Sequence, residues 1–184
     1  MRELSLNVMD IAQNSISAKA SLITIEVEES EKDDFLKISI IDNGCGMTEE
    51  QVSSVIDPFF TTRTTRKVGL GVPLFKLAAE QTDGRFGIDS KPGKGTRVFA
   101  QFVPSHLDMT PLGDINSTVS ILIRCNPDID FVFLHKTDLS EFTLDTRQLR
   151  EVLGEDVPLD TEDVIKWIEE YLEENTKSLY DTNV

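Results

Sequence analysis

Residues 39–51, SIIDNGCGMTEEQ, place an acidic residue at the end of an apolar strand and follow it with two glycines. Asp42 closes the strand, Gly44 and Gly46 come next, and Thr48 begins a helix pattern. A plain turn needs one glycine, whereas two glycines let another group approach the backbone closely. The segment therefore predicts either an elaborate turn or a flat group that lies against the strand end, within reach of the aspartate.

The hydrophobic periodicity predicts two groups of elements. The first group is a helix, two strands, a short helix, a polar loop, a second long helix and two more strands. These elements cover 3–20, 22–29, 35–41, 48–56, 71–82, 85–90 and 96–103, and the short helix carries a predicted capping box from Thr48 to Gln51.

A break rich in proline falls at 104–117. Beyond it, TVSILIRC and FVFLHK predict strands, and 145–153 and 160–176 predict helices. The expected fold class is α+β, a two-layer α/β sandwich (residues 1–104) followed by a small, separate C-terminal α/β annex (residues 105–184).

The net charge of the protein limits the classes of partner that it can bind. The net charge is −15, and from Asp138 onward 14 acidic residues face 4 basic ones. This balance argues against nucleic acid and anionic membranes, but backbone amides and a bound cation can still hold a small phosphate compound. No apolar run reaches the length of a membrane span, and the first ten residues lack a signal-peptide pattern, so we expect a cytoplasmic protein. The sequence carries no signal for an oligomeric state.

Two glycine-containing segments are candidates for phosphate binding. PGKGT at 92–96 fails as a P-loop, because its spacing and the residue after Lys94 are wrong, and alone it favours a hairpin turn. VGLGV at 68–72 stands before a helix, where free amides bind anions. A cationic and hydroxyl-rich stretch precedes it, which suits a triphosphate, although a solvated loop remains the alternative; this stretch comprises Thr61, Thr62, Arg63, Thr64, Thr65, Arg66 and Lys67.

Asp10 and Asn14 are one turn apart on the first helix and face the same way. An amide oxygen is a modest ligand suited to a Mg²⁺ ion that also binds nucleotide phosphates. A carboxylate nearby can orient a water or hydroxyl for in-line attack. Taken alone, the pair is more typical of a solvent-exposed helix face than of a functional site.

DIAQNS, DNGCGM, VGLGV and GKGT occur in this order, and together they resemble the GHKL ATPase superfamily, which includes type II topoisomerase ATPase domains, histidine kinases and MutL. The resemblance covers about residues 3–103. It implies that ATP and Mg²⁺ are the cofactors. DPFFTTR also resembles the phenylalanine box of histidine kinases, so Phe59 and Phe60 would anchor a lid.

The resemblance assigns roles to individual residues. Asp42 would accept a hydrogen bond from the adenine amino group, Gly44 and Gly46 would admit the ring, Met47 would form an apolar wall, and Thr96 would read adenine through water. Asn14 would be the Mg²⁺ ligand, and Asp10 would occupy the position of the general base. The second glycine box would hold the phosphates through Gly69 and Gly71, with Leu70 and Val72 beside them. The chemistry of the stretch before it adds Thr61, Thr62, Arg63 and Lys67 as further candidates for phosphate binding.

Departures from the family pattern shape the expected function. Asp10 is one methylene shorter than the usual glutamate, only three residues precede the first helix, and His106 and His135 lack a phosphoacceptor context. We therefore expect a stand-alone Mg-ATP-binding protein, an ATPase or protein kinase in signal transduction, that transfers the γ-phosphoryl group to a partner or to water. The annex would supply the surface for a protein partner. The alternatives are a non-catalytic, nucleotide-gated regulatory module and an interaction domain with a vestigial site.

Overall fold

A mixed six-stranded sheet runs through the protein in the order β3-β4-β2-β1-β5-β6. The computed structural model describes residues 3–57, 70–154 and 156–181. Neighbouring strands are antiparallel except β1 and β5, which are parallel. The elements are α1 (Leu4–Ser17), β1 (Leu22–Ser30), β2 (Phe35–Asp42), α2 (Glu49–Ile56), α3 (Gly71–Glu80), β3 (Arg85–Lys91), β4 (Gly95–Phe102), α4 (Ile115–Cys125), β5 (Asp130–Lys136), β6 (Glu141–Asp145), α5 (Thr146–Leu153) and α6 (Glu162–Leu179).

Helix α1 lies in the helical layer and contacts both α3 and α4. Its apolar stripe, Leu4, Val8 and Ile11, is almost completely buried, as the helical period predicts. The first amides of the helix donate to Pro111 and Leu112, whose carbonyls satisfy N–H groups that lack acceptors within the helix. The proline-rich break at 104–117 therefore anchors the beginning of α1.

The sheet buries one face against these helices. In β2, Ile38 and Ile40 are buried, and in β4 Val98 and Ala100 are buried opposite them. Alternation along each strand sends every second side chain to the helical layer. The two-layer α+β fold expected from the sequence is confirmed. The capping box of α2 is present too, since Thr48 accepts from the amide of Gln51 and Gln51 accepts from the amide of Thr48.

Two elements of the C-terminal region differ from the prediction. TVSILIRC forms the end of helix α4, not a strand. Asp114 caps the helix by accepting from the amide of Ser117, and Val119, Leu122 and Ile123 are buried at helical spacing. The preference of β-branched residues for strands is weak, so a helix cap and burial at helical spacing can outweigh it. Strand β6 was not predicted at all.

The expected annex is not separate from the first sheet. Strand β5 pairs with β1 from Leu22↔Asp130 to Glu28↔Lys136, and β6 extends the sheet beyond it. Parallel pairing of this kind depends on strands far apart in the chain, which a local pattern does not report. The division at 104/105 stays a prediction, but the correction is that both regions share one sheet. Of the helices in the described ranges, none has the length and apolar character to cross a membrane.

Candidate functional site

The carboxylate of Asp42 is held at the end of β2 by two protein donors. Ser15 donates from its hydroxyl to Oδ2 at 2.6 Å, and the amide of Gly44 donates to Oδ1 at 2.9 Å. Asp42 and Ser15 are both buried. A carboxylate has about four lone-pair sites, so these two bonds fix its orientation and leave acceptor capacity for a ligand. Ser15 was not identified from the sequence as part of the site.

The glycines after Asp42 are required by neighbouring backbone. A Cβ built on Gly46, which has φ +67°, would lie 2.0 Å from the carbonyl oxygen of Lys91, and one on Gly44 would lie 2.8 Å from that of Ala18. The chain between them is also bonded on both sides, because Cys45 donates to Ala18 and accepts from the amide of Gly93. The glycines therefore let the strand end fit between the α1–β1 turn and the β3–β4 hairpin. This packing role is additional to the predicted one of admitting a ring.

Thr96 and Ser90 continue the site across the neighbouring strands. Thr96 is paired with Asp42 across β2 and β4, and with Ser90 across β3 and β4, so the three side chains share one face of the sheet. Ser90 accepts from the amide of Met47 at 2.8 Å, donates to the carbonyl of Gly95 at 3.1 Å, and lies 2.8 Å from the hydroxyl of Thr96. Either hydroxyl can be the donor in the Ser90–Thr96 pair, and in both cases Thr96 keeps at least one lone pair for a ligand or water.

An open cleft of about 530 Å³ lies between α2 and the adjoining ends of β2, β3 and β4. This volume is in the range of small-molecule sites. Asp42, Ser90 and Thr96 line it, with Val52 of α2 and Ile88 of β3 as apolar walls. The cleft is mixed in charge, because three cations and two acids also line it, namely Lys91, Lys94, Arg97, Glu49 and Asp89. Met47 contributes its amide to the polar network but is not among the lining residues.

Asp10 lies beside the beginning of α3. A Cβ built on Gly71 would lie 2.6 Å from the Cβ of Asp10 and 3.4 Å from its Oδ2, so glycine allows α1 and α3 to approach here. The amides of Gly71 and Val72 belong to the first helical turn, where N–H groups have no intrahelical acceptor, and Pro73 carries no N–H. Val72 itself is buried, and Leu70 is exposed. The structure thus brings the candidate base next to a helix end that favours anions.

Asn14 is one turn after Asp10 on α1, and both side chains are solvent-exposed. The amide oxygen of Asn14 fits Mg²⁺, which binds few protein ligands and completes its shell with water and phosphate oxygens. The remaining candidates of the phosphate segment, Thr61, Thr62, Arg63, Lys67 and Gly69, lie outside the described residues, as do Phe59 and Phe60.

The comparisons with known proteins agree with this geometry. The profile of the family described as "Histidine kinase-, DNA gyrase B-, and HSP90-like ATPase" matches residues 1–106. The chain therefore belongs to this ATPase family, which confirms the resemblance to the GHKL superfamily. Membership in the family supports ATP as the bound nucleotide.

Curated relatives match the same region. The sensor histidine kinase ZraS of Klebsiella oxytoca is 33% identical over 104 residues, which are 56% of this chain and 22% of that protein. The sensor protein DegM of Bacillus sp. (strain B21-2) is 32% identical over 91 residues, 50% of this chain and 24% of that protein. The chain thus spans about a fifth to a quarter of the length of these relatives.

The solved N-terminal domain of a DNA repair protein resembles this chain in fold. The two superpose with a TM-score of 0.56 at 14% identity, covering 84% of this chain and 58% of that one. The match extends well beyond residues 1–106, so the fold that it supports includes part of the C-terminal region.

Proposed function

We propose that this protein binds Mg-ATP in the cleft beside Asp42 and transfers the γ-phosphoryl group to a partner protein or to water. The observation that carries the proposal is the position of Asp10 against Gly71, which puts a carboxylate next to the amides that suit a triphosphate. Membership in the ATPase family supports ATP as the nucleotide. The acceptor, the metal and the residue roles below belong to the proposal.

In this proposal, the buried end of β2 recognises adenine. The carboxylate of Asp42 accepts from the exocyclic amine, and it is oriented for this by Ser15 and Gly44. Thr96, whose hydroxyl lies 2.8 Å from that of Ser90, offers a lone pair to a bridging water. Guanine presents a carbonyl where adenine has its amine, so its nucleotides are rejected by an acceptor left without a donor.

The phosphates extend from the adenine toward α3. The amides of Gly71 and Val72 receive phosphate oxygens, and Asn14 holds the metal. When bound, Mg²⁺ neutralises charge on the β- and γ-phosphates. Asp10 orients the attacking hydroxyl or water and takes its proton. Thr61, Thr62, Arg63, Lys67 and Gly69 are proposed to complete the phosphate contacts.

A second candidate is a nucleotide-gated regulatory module without chemistry. The short side chain of Asp10 favours it, since aspartate reaches one methylene less far than glutamate. Calorimetric titration with ATP, with and without Mg²⁺, tests binding. Release or transfer of a labelled γ-phosphate then separates an enzyme from a switch. Absence of ATP binding by the folded protein would overturn both candidates.

A further inference from the structure

An apolar groove lies between α5 and α6, at the far edge of the sheet from the nucleotide cleft. It encloses about 510 Å³ and borders the edge strand β6. Its walls combine aliphatic side chains of α5 with two aromatic side chains of α6, and its main lining residues are Leu149, Val152, Leu153, Val164, Trp167 and Tyr171. Val152 is 84% exposed and Trp167 is 46% exposed. Exposed apolar surface of this kind marks an interaction site more often than scattered single residues do.

The aromatic wall of the groove is held in place. Trp167 and Tyr171 are one turn apart on α6, and their rings stack at 5.1 Å with an interplanar angle of 20°. The hydroxyl of Tyr171 donates to the carbonyl of Thr143 on β6 at 3.0 Å. This bond anchors the aromatic wall of the groove to β6. Rigid, half-exposed Trp and Tyr side chains are typical anchors of protein interfaces.

The two helices that form the rim of the groove together carry an excess of negative charge. Helix α6 carries six acidic residues against two lysines, and both lysines are engaged in ion pairs, Lys166 with Glu170 and Lys177 with Glu173. On α5, Arg147 and Arg150 are also neutralised, because they pair with Asp145 and Asp130. Asp163 lines the groove itself.

The charges decide between possible occupants. A second copy of this chain, at a net charge of −15, would bring like charges together around the groove. A segment with apolar anchors and basic flanks would bury its anchors against Trp167 and Val152 and meet complementary charge at the rim. We propose that the groove between α5 and α6 docks a basic, amphipathic segment of a partner protein. The proposal rests on the partner-directed part of the proposed function and is independent of the nucleotide cleft.

The protein contains its own reporter, because Trp167 is the only tryptophan. The probe is a synthetic amphipathic peptide of leucine and lysine, and its matched control carries glutamate in place of lysine. We expect the lysine peptide to shift the emission of Trp167 and to bind more weakly as salt is raised, since the rim charges are screened. We expect no shift with the glutamate peptide. Equal binding of the two peptides would overturn the proposal.

Two matched variants show where the peptide binds. Val152→Lys adds a cation inside the groove, whereas Leu107→Lys adds one at a residue that is 96% exposed and outside it. We expect the first to weaken binding by about tenfold or more and the second by less than about twofold. Equal effects would mean general attraction to an acidic protein and would overturn the proposal. So would a dimer in sedimentation that Val152→Lys dissociates, because the occupant would then be a second copy.

Titration with ATP in the same variants separates this inference from the proposed nucleotide function. Val152→Lys should bind ATP as wild type does. If the wild type binds ATP but not the lysine peptide, only the groove is contradicted. If the wild type binds the peptide but not ATP, only the nucleotide site is contradicted.

Discussion

The hydroxyl of Ser15 donates to Oδ2 of Asp42 at 2.6 Å, across 27 positions of sequence and inside the core. Because the bond fixes the carboxylate, Ser15→Ala should weaken ATP binding by about 3- to 10-fold and lower stability by about 1 kcal/mol. Calorimetry and urea unfolding measure the two effects. Ser17→Ala is the control, since Ser17 is exposed on the same helix and its hydroxyl donates to the carbonyl of Gln13. Equal ATP affinity in wild type and Ser15→Ala would contradict a positioning role.

Asp42→Asn should bind ATP 10- to 100-fold more weakly while remaining folded, because losing a charge-assisted contact costs roughly 1.5–3 kcal/mol. The amide oxygen can still accept from Gly44, and the hydroxyl of Ser15 can turn to accept from the amide nitrogen. Circular dichroism checks the fold, and calorimetry with ATP and GTP checks affinity. Wild-type affinity in the variant would remove Asp42 from the adenine site.

Variants at Asp10 and Asn14 should separate the effect on turnover from the effect on metal binding. Asp10→Asn should leave Mg-ATP binding nearly unchanged but slow turnover by about 10²- to 10⁴-fold, because the general base is lost. Asn14→Ala should remove the metal dependence of ATP binding and end turnover. Gln13→Ala, at an exposed neighbour on α1, serves as the control. If Asp10→Asn turns over at the wild-type rate, the nucleotide-gated switch becomes the better description.

Gly71→Ala should destabilise the fold by about 1–3 kcal/mol, because its Cβ would meet the Cβ of Asp10 at 2.6 Å and force α1 and α3 apart. Gly93→Ala is the comparison, since its φ is +74° but nothing lies within 4 Å of the added Cβ. Urea unfolding of both variants separates the cost of crowding from that of backbone strain. A smaller loss for Gly71→Ala than for Gly93→Ala would contradict the close approach of the helices.

Glu29, near the end of β1, leads to a prediction about how the stability of the protein depends on pH. Burial raises the pKa of Glu29, but hydrogen bonds from His135 and Tyr180 outweigh it and hold this pKa below its usual range. A lowered pKa means that the ionised form stabilises the fold above the unfolded pKa of about 4.3 and that this contribution is lost as pH falls further. Glu29→Gln should therefore destabilise the protein more at pH 7 than at pH 3.

Urea unfolding of wild type and Glu29→Gln at both pH values is the measurement. Because both proteins contain the other carboxylates, the titration of those groups cancels in the difference between the two free energies of unfolding. Glu28→Gln is a matched control on the same strand, where the partner is the surface cation Lys37. A difference for Glu29→Gln that does not depend on pH would contradict the role of the ionised carboxylate.

How much of this protein could be predicted from the sequence depends on the range of each interaction. The capping box from Thr48 to Gln51 was predictable because its two partners are three residues apart. The hydrogen bonds between Asp42 and Ser15 and between Thr96 and Ser90 could not be predicted. A serine or threonine hydroxyl produces no periodic pattern in the sequence, and tertiary structure alone determines its partner. The ordered motifs predicted the candidate site, whereas the hydrogen bonds that hold its side chains depend on tertiary structure.

The same limit explains the errors in the C-terminal region. Val119 and Ile123 belong to a β-branched run that favours a strand, yet the cap at Asp114 and burial at helical spacing decide for α4. The five residues of β6 were too short and too polar to stand out. Its strand character comes from pairing with β5, not from its own composition.

The parallel pairing of β5 with β1 has a consequence for dissection of the chain. Strand β1 carries Ile23, Ile25 and Val27, and within the described part of the chain one of its two hydrogen-bonding edges is covered by β5, which lies beyond residue 104. A fragment ending there would present that edge, with its apolar side chains, to any strand it encountered. By pairing with β1, the C-terminal region covers an edge that would otherwise be open to other strands.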